Sequence, residues 1–200
     1  MKKMMLLGAL LLSATAGFAQ ESRQDASISA MGFFGPDITG NAVHMSSTST
    51  LGVLASYRFM LTPRSALELN YSFAQYSSKF ATSFAPNIRI HTRAQEMSGA
   101  YIYNMNFRRF NPFLEAGPGA IIFTPIIDAG TNQKDTKQNI NLGGVFGGGV
   151  AYELSPSFDI RAEYRGFVVK TPDFSLPGDT IRTNRYQVLS MPAIGIAYHF

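Results

Sequence analysis

Along residues 51–59, Leu51, Val53, Ala55, Tyr57 and Phe59 alternate with Gly52, Leu54, Ser56 and Arg58. A period of two sends the two sets to opposite faces of a β-strand. After Leu61-Thr62-Pro63-Arg64-Ser65 the alternation resumes, with Leu67, Leu69, Tyr71 and Phe73 against Glu68, Asn70 and Ser72. The two segments therefore predict a hairpin closed by a short proline-containing turn.

The same pattern predicts eight strands in all. The first spans about 25–34, with Ala26, Ile28, Ala30 and Phe34 on one face and Ser27 and Ser29 on the other. The fourth, 89–104, sets Met97, Gly99, Tyr101 and Tyr103 against Glu96, Ser98 and Ala100. The fifth, 112–123, opposes Leu114, Ala116, Pro118, Ala120 and Ile122 to Glu115, Gly117 and Gly119. Pro118 has no N–H for the ladder, so a bulge or local irregularity is expected there. The sixth, 139–154, opposes Phe146, Val150 and Tyr152 to Asn141, Gly143, Gly147, Gly149 and Glu153, and its glycines leave room for arginine and aromatic side chains of neighbouring strands. The seventh, 158–168, sets Ile160, Ala162, Tyr164 and Val168 against Asp159, Arg161, Glu163 and Arg165, and the eighth runs over 185–200.

Connections alternate in length. Short ones fall at 61–65, 105–110 and 154–157, and long ones at 35–46, 77–87, 124–138 and 170–184. Short turns on one rim and long loops on the other belong to a bacterial membrane barrel, whose long loops lie outside the cell. The runs 46–50 and 130–135 are small and polar, and are expected to be mobile tips.

Composition narrows the class. Of 200 residues 46% are hydrophobic, only 15% are charged and none is cysteine. Such a chain has the apolar content to fold, and it can hold no disulfide, thiolate metal site, cysteine nucleophile or amino-terminal lipid anchor on cysteine. Residues 1–19 begin with Lys2 and Lys3, continue through an apolar run from Met4 to Leu12 and end in Gly17-Phe18-Ala19, the anatomy of a secretory signal peptide. The remainder, 20–200, reads as one domain, and losing Lys2 and Lys3 lowers the formal charge from +4 to +2. That mild balance gives nucleic-acid binding no support.

The two faces then meet different surroundings. Tyr57, Phe59, Tyr101, Tyr103, Tyr152, Tyr198 and Phe200 fall on the outward face near the short-turn rim, where an aromatic girdle meets the membrane interface. The inward face collects Arg58, Glu68, Glu96, Glu115, Arg161, Glu163 and Arg165. In a lumen only wide enough for side chains, these charges must pair. Glu68, Glu115 or Glu163 is expected to meet Arg58, Arg161 or Arg165. A charged interior also disfavours a lipocalin-like carrier, whose cavity is apolar.

The segment Met191 to Phe200 places Pro192, Ile194, Ile196, Tyr198 and Phe200 on the outward face. It resembles the carboxy-terminal signal of bacterial outer-membrane barrels, and that resemblance implies recognition by the barrel-assembly machinery through Tyr198 and Phe200. With Asn111-Pro112-Phe113-Leu114-Glu115-Ala116-Gly117-Pro118-Gly119, Gly147-Gly148-Gly149-Val150-Ala151-Tyr152 and Arg161-Ala162-Glu163-Tyr164-Arg165, the chain resembles the small OmpA/OmpX-type outer-membrane β-barrel family. The resemblance implies an eight-stranded antiparallel transmembrane β-barrel in a Gram-negative outer membrane, with roles from structural support to adhesion and limited permeation.

The expected function is a structural or surface-interaction role through four extracellular loops. A small porin-like channel for ions or small solutes is the alternative, and a lipid-modifying enzyme the weaker one. The chain is read as a non-enzyme without cofactor or metal. Among its three histidines only His44 has a serine at strand spacing, Ser46, and that pair falls in the first long connection. Expected partners are outer-membrane lipid and lipopolysaccharide, the assembly machinery during insertion and an extracellular ligand at the loops, around a monomer.

Overall fold

A computed structural model of the chain describes residues 23–82, 88–128, 131, 136–174 and 182–200. The expected signal peptide, 1–19, lies outside the described residues. Ten strands follow in order: β1 Gln24–Phe33, β2 Ile38–Gly40, β3 Val43–Ser47, β4 Thr50–Thr62, β5 Ser65–Thr82, β6 Ile88–Asn104, β7 Phe110–Ile126, β8 Asn139–Ser155, β9 Phe158–Lys170 and β10 Tyr186–His199. Eight of them, β1 and β4 to β10, close an antiparallel barrel through the β1–β10 and β5–β6 pairings. Closure removes every sheet edge from the barrel wall, so backbone N–H and C=O groups are satisfied between strands.

Face parity follows the sequence pattern. Leu51, Val53, Tyr57 and Phe59 of β4 are exposed while Leu54, Ser56 and Arg58 are buried, and Leu67, Leu69 and Tyr71 of β5 are exposed while Glu68, Asn70 and Ser72 are buried. Two register shifts, at Met60/Thr62 and Glu153/Ser155, are bulges beside the two-residue turns that join β4 to β5 and β8 to β9. At Pro118 the irregularity takes a different form from a bulge. The β6–β7 ladder pairs Ser98 with Gly119 and Tyr101 with Ala116 in one continuous register, leaving the residues between without a pair. On its other side Pro118 pairs with Gly144 of β8. The backbones come so close at this seam that a Cβ on Gly117 would run into the Gly99 carbonyl and stand 2.7 Å from Ala100 Cα.

Two expected loops prove to be sheet. Residues 35–46 contain the β2–β3 hairpin, turned through Asn41 and Ala42 at φ of 51° and 57°. Two successive left-handed residues make the type I′ turn, whose twist suits a hairpin. The 77–87 segment continues as strand to Thr82, because β3 pairs with β5 from Ser78 to Thr82 after β4 has paired with its lower part. Thr48 joins the two stretches: its N–H donates to the Ser77 carbonyl at 2.9 Å and its Oγ1 accepts from Ser77 N–H at 2.9 Å. Hence Ser46 and Ser47 are paired strand residues rather than a mobile tip. In the other expected tip, Thr131 is buried and bonded to the Ile126 carbonyl and to His91 N–H; residues 130 and 132–135 lie outside the described residues.

Inside the barrel the half nearer the loop rim is apolar. Met31, Phe33, Leu54, Tyr76, Ile90, Ile121, Phe123, Val145, Phe167, Val169, Leu189 and Met191 are buried in one cluster, which Val43 and Met45 of the hairpin, Phe80 and Phe174 extend upward. Phe33 and Tyr76 meet at 5.1 Å and Phe80 meets Phe174 edge-on at 6.4 Å. Glycines make the room: a Cβ on Gly143 or Gly119 would come within 2.6 or 2.8 Å of the Phe167 ring. We expect Phe167→Ala to lower barrel stability by about 3–5 kcal/mol, the range for emptying a packed aromatic site. Denaturant unfolding in detergent micelles or lipid vesicles measures it, and a change under about 1 kcal/mol would mean the upper lumen is loosely filled.

Candidate functional site

The half of the lumen nearer the short turns carries the charges. Asp25 of β1, Arg58 of β4, Glu68 of β5, Glu96 of β6, Glu115 of β7 and Arg161, Glu163 and Arg165 of β9 are all buried. Each occupies an inward position of its strand, and adjacent registers bring Asp25 beside Arg58 and Arg58 beside Glu68.

Two ion-pair clusters result. In the lower one Glu68 Oε2 takes both Arg58 Nε and Arg58 Nη2 at 2.7 Å and lies 3.4 Å from Arg161 Nη1. Arg161 Nη2 reaches Asp25 Oδ1 at 2.9 Å and its Nη1 donates to Ser27 Oγ at 3.3 Å. The Phe113 ring faces this cluster, 4.6 Å from the Arg58 guanidinium carbon and 5.8 Å from that of Arg161. Desolvated cations over an aromatic face gain cation–π attraction. In the upper cluster Arg165 Nη2 donates to Glu96 Oε1 at 3.0 Å and to Ser98 Oγ at 3.2 Å, and Arg165 Nε lies 3.3 Å from Glu115 Oε1. Ser72 and Ser98 each donate to Glu96, at 2.8 and 2.7 Å.

Glycines on β8 clear the space here too. A Cβ on Gly147 would meet Glu115 Oε1 at 2.8 Å, and one on Gly149 would meet Phe113 and Glu163, each at 2.7 Å. Of the three carboxylates expected to pair, Glu68 and Glu115 do so; Glu163 is buried without an ion pair among the described residues. Glu96 and Asp25 take the remaining arginine contacts. Asp25 escaped the sequence reading because the alternation was traced from Ala26; extending it one residue back would have placed Asp25 inward.

Below the lower cluster a cavity of about 480 Å³ opens to the short-turn rim, lined by Arg23, Asn104, Arg108 and His199, with Asp25, Arg58 and Arg161 of the cluster at its inner end. His199 Nε2 is 2.8 Å from Asp159 Oδ2. His91 Nδ1 is 2.6 Å from Asp128 Oδ2. His44, on β3, has Thr39 Oγ1 at 2.9 Å across the hairpin, so the contact it makes is with a threonine rather than with Ser46. Among the described residues no group of three histidine and carboxylate side chains is placed to hold a metal ion.

Around the outside, Tyr57, Phe59, Tyr101, Tyr103, Tyr152, Tyr198 and Phe200 are all exposed. Tyr198 stacks on Phe200 at 6.0 Å and lies 5.1 Å from Phe158, while Phe200 is 6.3 Å from Tyr57. The chain end is thereby fixed in the girdle, with Phe200 N–H donating to the Gln24 carbonyl at 3.0 Å.

The clusters predict unequal costs. Glu68→Gln leaves two buried guanidinium groups short of a counter-charge and is expected to cost about 3–5 kcal/mol, and Arg165→Met, which strands Glu96 and Glu115, a similar amount. Glu163→Gln, touching no arginine within ion-pair distance, is expected to cost much less. A double-mutant cycle on Arg58 and Glu68 should show coupling, whereas Arg58 with Glu96 should be additive. Urea unfolding of the refolded variants reads all of these, and equal costs at Glu68 and Glu163 would contradict the pairing.

Comparison with known proteins places this architecture. A family model described as an outer membrane protein beta-barrel domain matches residues 5–200. No curated protein matches the chain. Among solved structures, the outer membrane protein OprG from Pseudomonas aeruginosa superposes with a TM-score of 0.67 at 11% identity, covering 90% of this chain and 97% of that one. Neisserial surface protein A superposes with a TM-score of 0.58 at 15% identity, covering 90% and 98%. At such identities the likeness is one of fold. With the family match over nearly the whole chain, the closed eight-stranded wall and the girdled exterior, this chain belongs to the outer-membrane β-barrel family and is a protein of the bacterial outer membrane.

Proposed function

We propose that the protein is a sealed outer-membrane barrel with a structural or surface-interaction role, exercised from its loop rim outside the cell, and that solutes do not pass through its lumen. The observation that carries this reading is the double filling of the interior. Arg161 and Arg165 are buried across the lower half, and Phe33, Phe123, Phe167, Met31 and Met191 across the upper half. A conducting path would have to separate ion pairs held in low dielectric and then open a dry aromatic layer, and both steps are costly.

The short turns take the periplasmic side and the β2–β3 hairpin the extracellular side, as in membrane barrels generally. Val43 and Met45 tie that hairpin to the apolar plug. The site it offers a partner is thus a rigid platform more than a set of free loops. Exposed Thr39, Asn41 and His44, with Asp37 just before β2, are among the groups it presents.

Planar-bilayer recording tests the sealed lumen. Refolded protein is expected to give no sustained current, with or without shortened loops, and reproducible currents that persist after loop shortening would establish the porin-like alternative. The assembly role of the chain end has its own test. Phe200→Ala is expected to slow insertion catalysed by the barrel-assembly machinery while leaving spontaneous refolding into detergent near the wild-type rate; equal slowing of both would assign Phe200 to stability alone.

A further inference from the structure

At the short-turn rim the lumen stays open as the cavity of about 480 Å³, a size within the ~300–1,000 Å³ of small-molecule sites. Four arginines line it, Arg23, Arg58, Arg108 and Arg161, against two carboxylates, Asp25 and Asp159. Both carboxylates are engaged, Asp25 by Arg161 at 2.9 Å and Asp159 by His199 at 2.8 Å. The cavity therefore keeps positive charge to spare.

Its uncommitted groups are mostly donors. Arg23 and Arg108 are exposed at the rim and make no ion pair among the described residues. Arg108 stands in the turn between β6 and β7 at a φ of 49°, a backbone state that glycine or asparagine holds more easily. Arg58 is buried, and while its Nε and Nη2 are committed to Glu68, its Nη1 has no partner among the described residues. Asn104 is buried as well, and the one contact of its carboxamide among the described residues is from Nδ2 to the Met60 sulfur at 3.8 Å, a weak acceptor. Buried polar groups ordinarily find partners. A buried cation and a buried amide with capacity to spare, lining one cavity, are suited to a ligand that supplies acceptors.

The walls also narrow the ligand. Guanidinium forks match the oxygens of a carboxylate or a phosphate. Asn104 can both donate and accept, as a peptide group does, and Met60, Pro63 and Ala151 give the cavity an apolar side. Inorganic phosphate would leave that side and most of the volume unused. We propose that this cavity binds the free carboxyl end of a peptide. The carboxylate lies among Arg23, Arg108 and Arg58 Nη1, the last peptide group meets Asn104, and short aliphatic side chains pack toward Met60 and Pro63. With the short turns on the periplasmic side, the ligand is a periplasmic one. The site goes beyond the loop-rim role and does not depend on it.

The test titrates the full chain, refolded into bilayer discs of zwitterionic lipid, with N-acetyl-Ala-Ala carrying a free carboxyl, with its carboxy-terminal amide, and with a longer peptide ending in the same two residues; calorimetry reads the affinities. The acid is expected to bind about tenfold more tightly than the amide, with an affinity that falls as salt is raised. R23Q and R108N, at exposed positions, should each weaken it about fivefold, the loss of one solvent-exposed charged contact, and together about twenty-fivefold, with the melting temperature unchanged. R109Q removes the next arginine of the same turn, which does not line the cavity, and should leave the affinity as it was.

Equal binding of acid and amide, a result that needs no variant, overturns the proposal. An equal loss in R109Q also overturns it, because attraction to a basic rim would then suffice, and so does tighter binding of inorganic phosphate than of the acid. The two acids separate the sources of the carboxyl end. Equal affinity for both supports the site as one for the ends of longer chains, and binding of the short acid alone supports it as one for free short peptides.

Discussion

In hydrocarbon a backbone N–H or C=O without a partner costs several kcal/mol, and closure of the wall between β5 and β6 and between β1 and β10 is the arrangement that satisfies this constraint. The rest of the molecule follows from it. Eight strands must tilt to close, and the tilt sets a lumen just wide enough for side chains. The inward residues then face one another across a space with little room for solvent. Whatever charge they carry must be neutralised by their own kind, and whatever volume they leave must be filled.

The chain meets both demands with one device repeated along β8 and the facing part of β7. Inward glycines at 119, 143, 147 and 149 thin the wall where Phe167, Glu115, Phe113 and Glu163 come across. Large residues of β7 and β9 thus reach the barrel axis without forcing the wall apart. Phe113 links the charged layer to this packing, since it faces two guanidinium groups and lies against the space above Gly149. Dividing the interior into an ion-paired lower layer and an aromatic upper layer fills the lumen with two different kinds of packing in series.

Above the membrane the same economy of partners appears. β5 outlasts β4, and the edge that β4 leaves is taken by β3, with Thr48 bonding across the junction. An unpaired edge outside the membrane would invite pairing with another chain. Covering it with the hairpin also lays Val43 and Met45 over the apolar plug.

The sequence by itself determined which residues face lipid and which face the lumen, because a strand between two unlike surroundings writes that difference at every second residue. All eight barrel strands, the girdle and the seven inward charges were legible for this reason. The β2–β3 hairpin was not: its strands are three and five residues long, too short for alternation to stand out, and its turn carries Asn41-Ala42 where Asn-Gly would have signalled it. Ser77 and Ser78 read as loop because their pairing partners, Thr48 just after β3 and Ser47 at its end, lie about thirty residues away. The ion pairs were decided by tertiary structure alone. Arg161 meets Asp25 across 136 residues of sequence and Glu68 across 93, and parity places all three in the lumen without saying which reach one another. Barrel stagger and the lengths of the side chains make that choice, and they act only once the wall has closed.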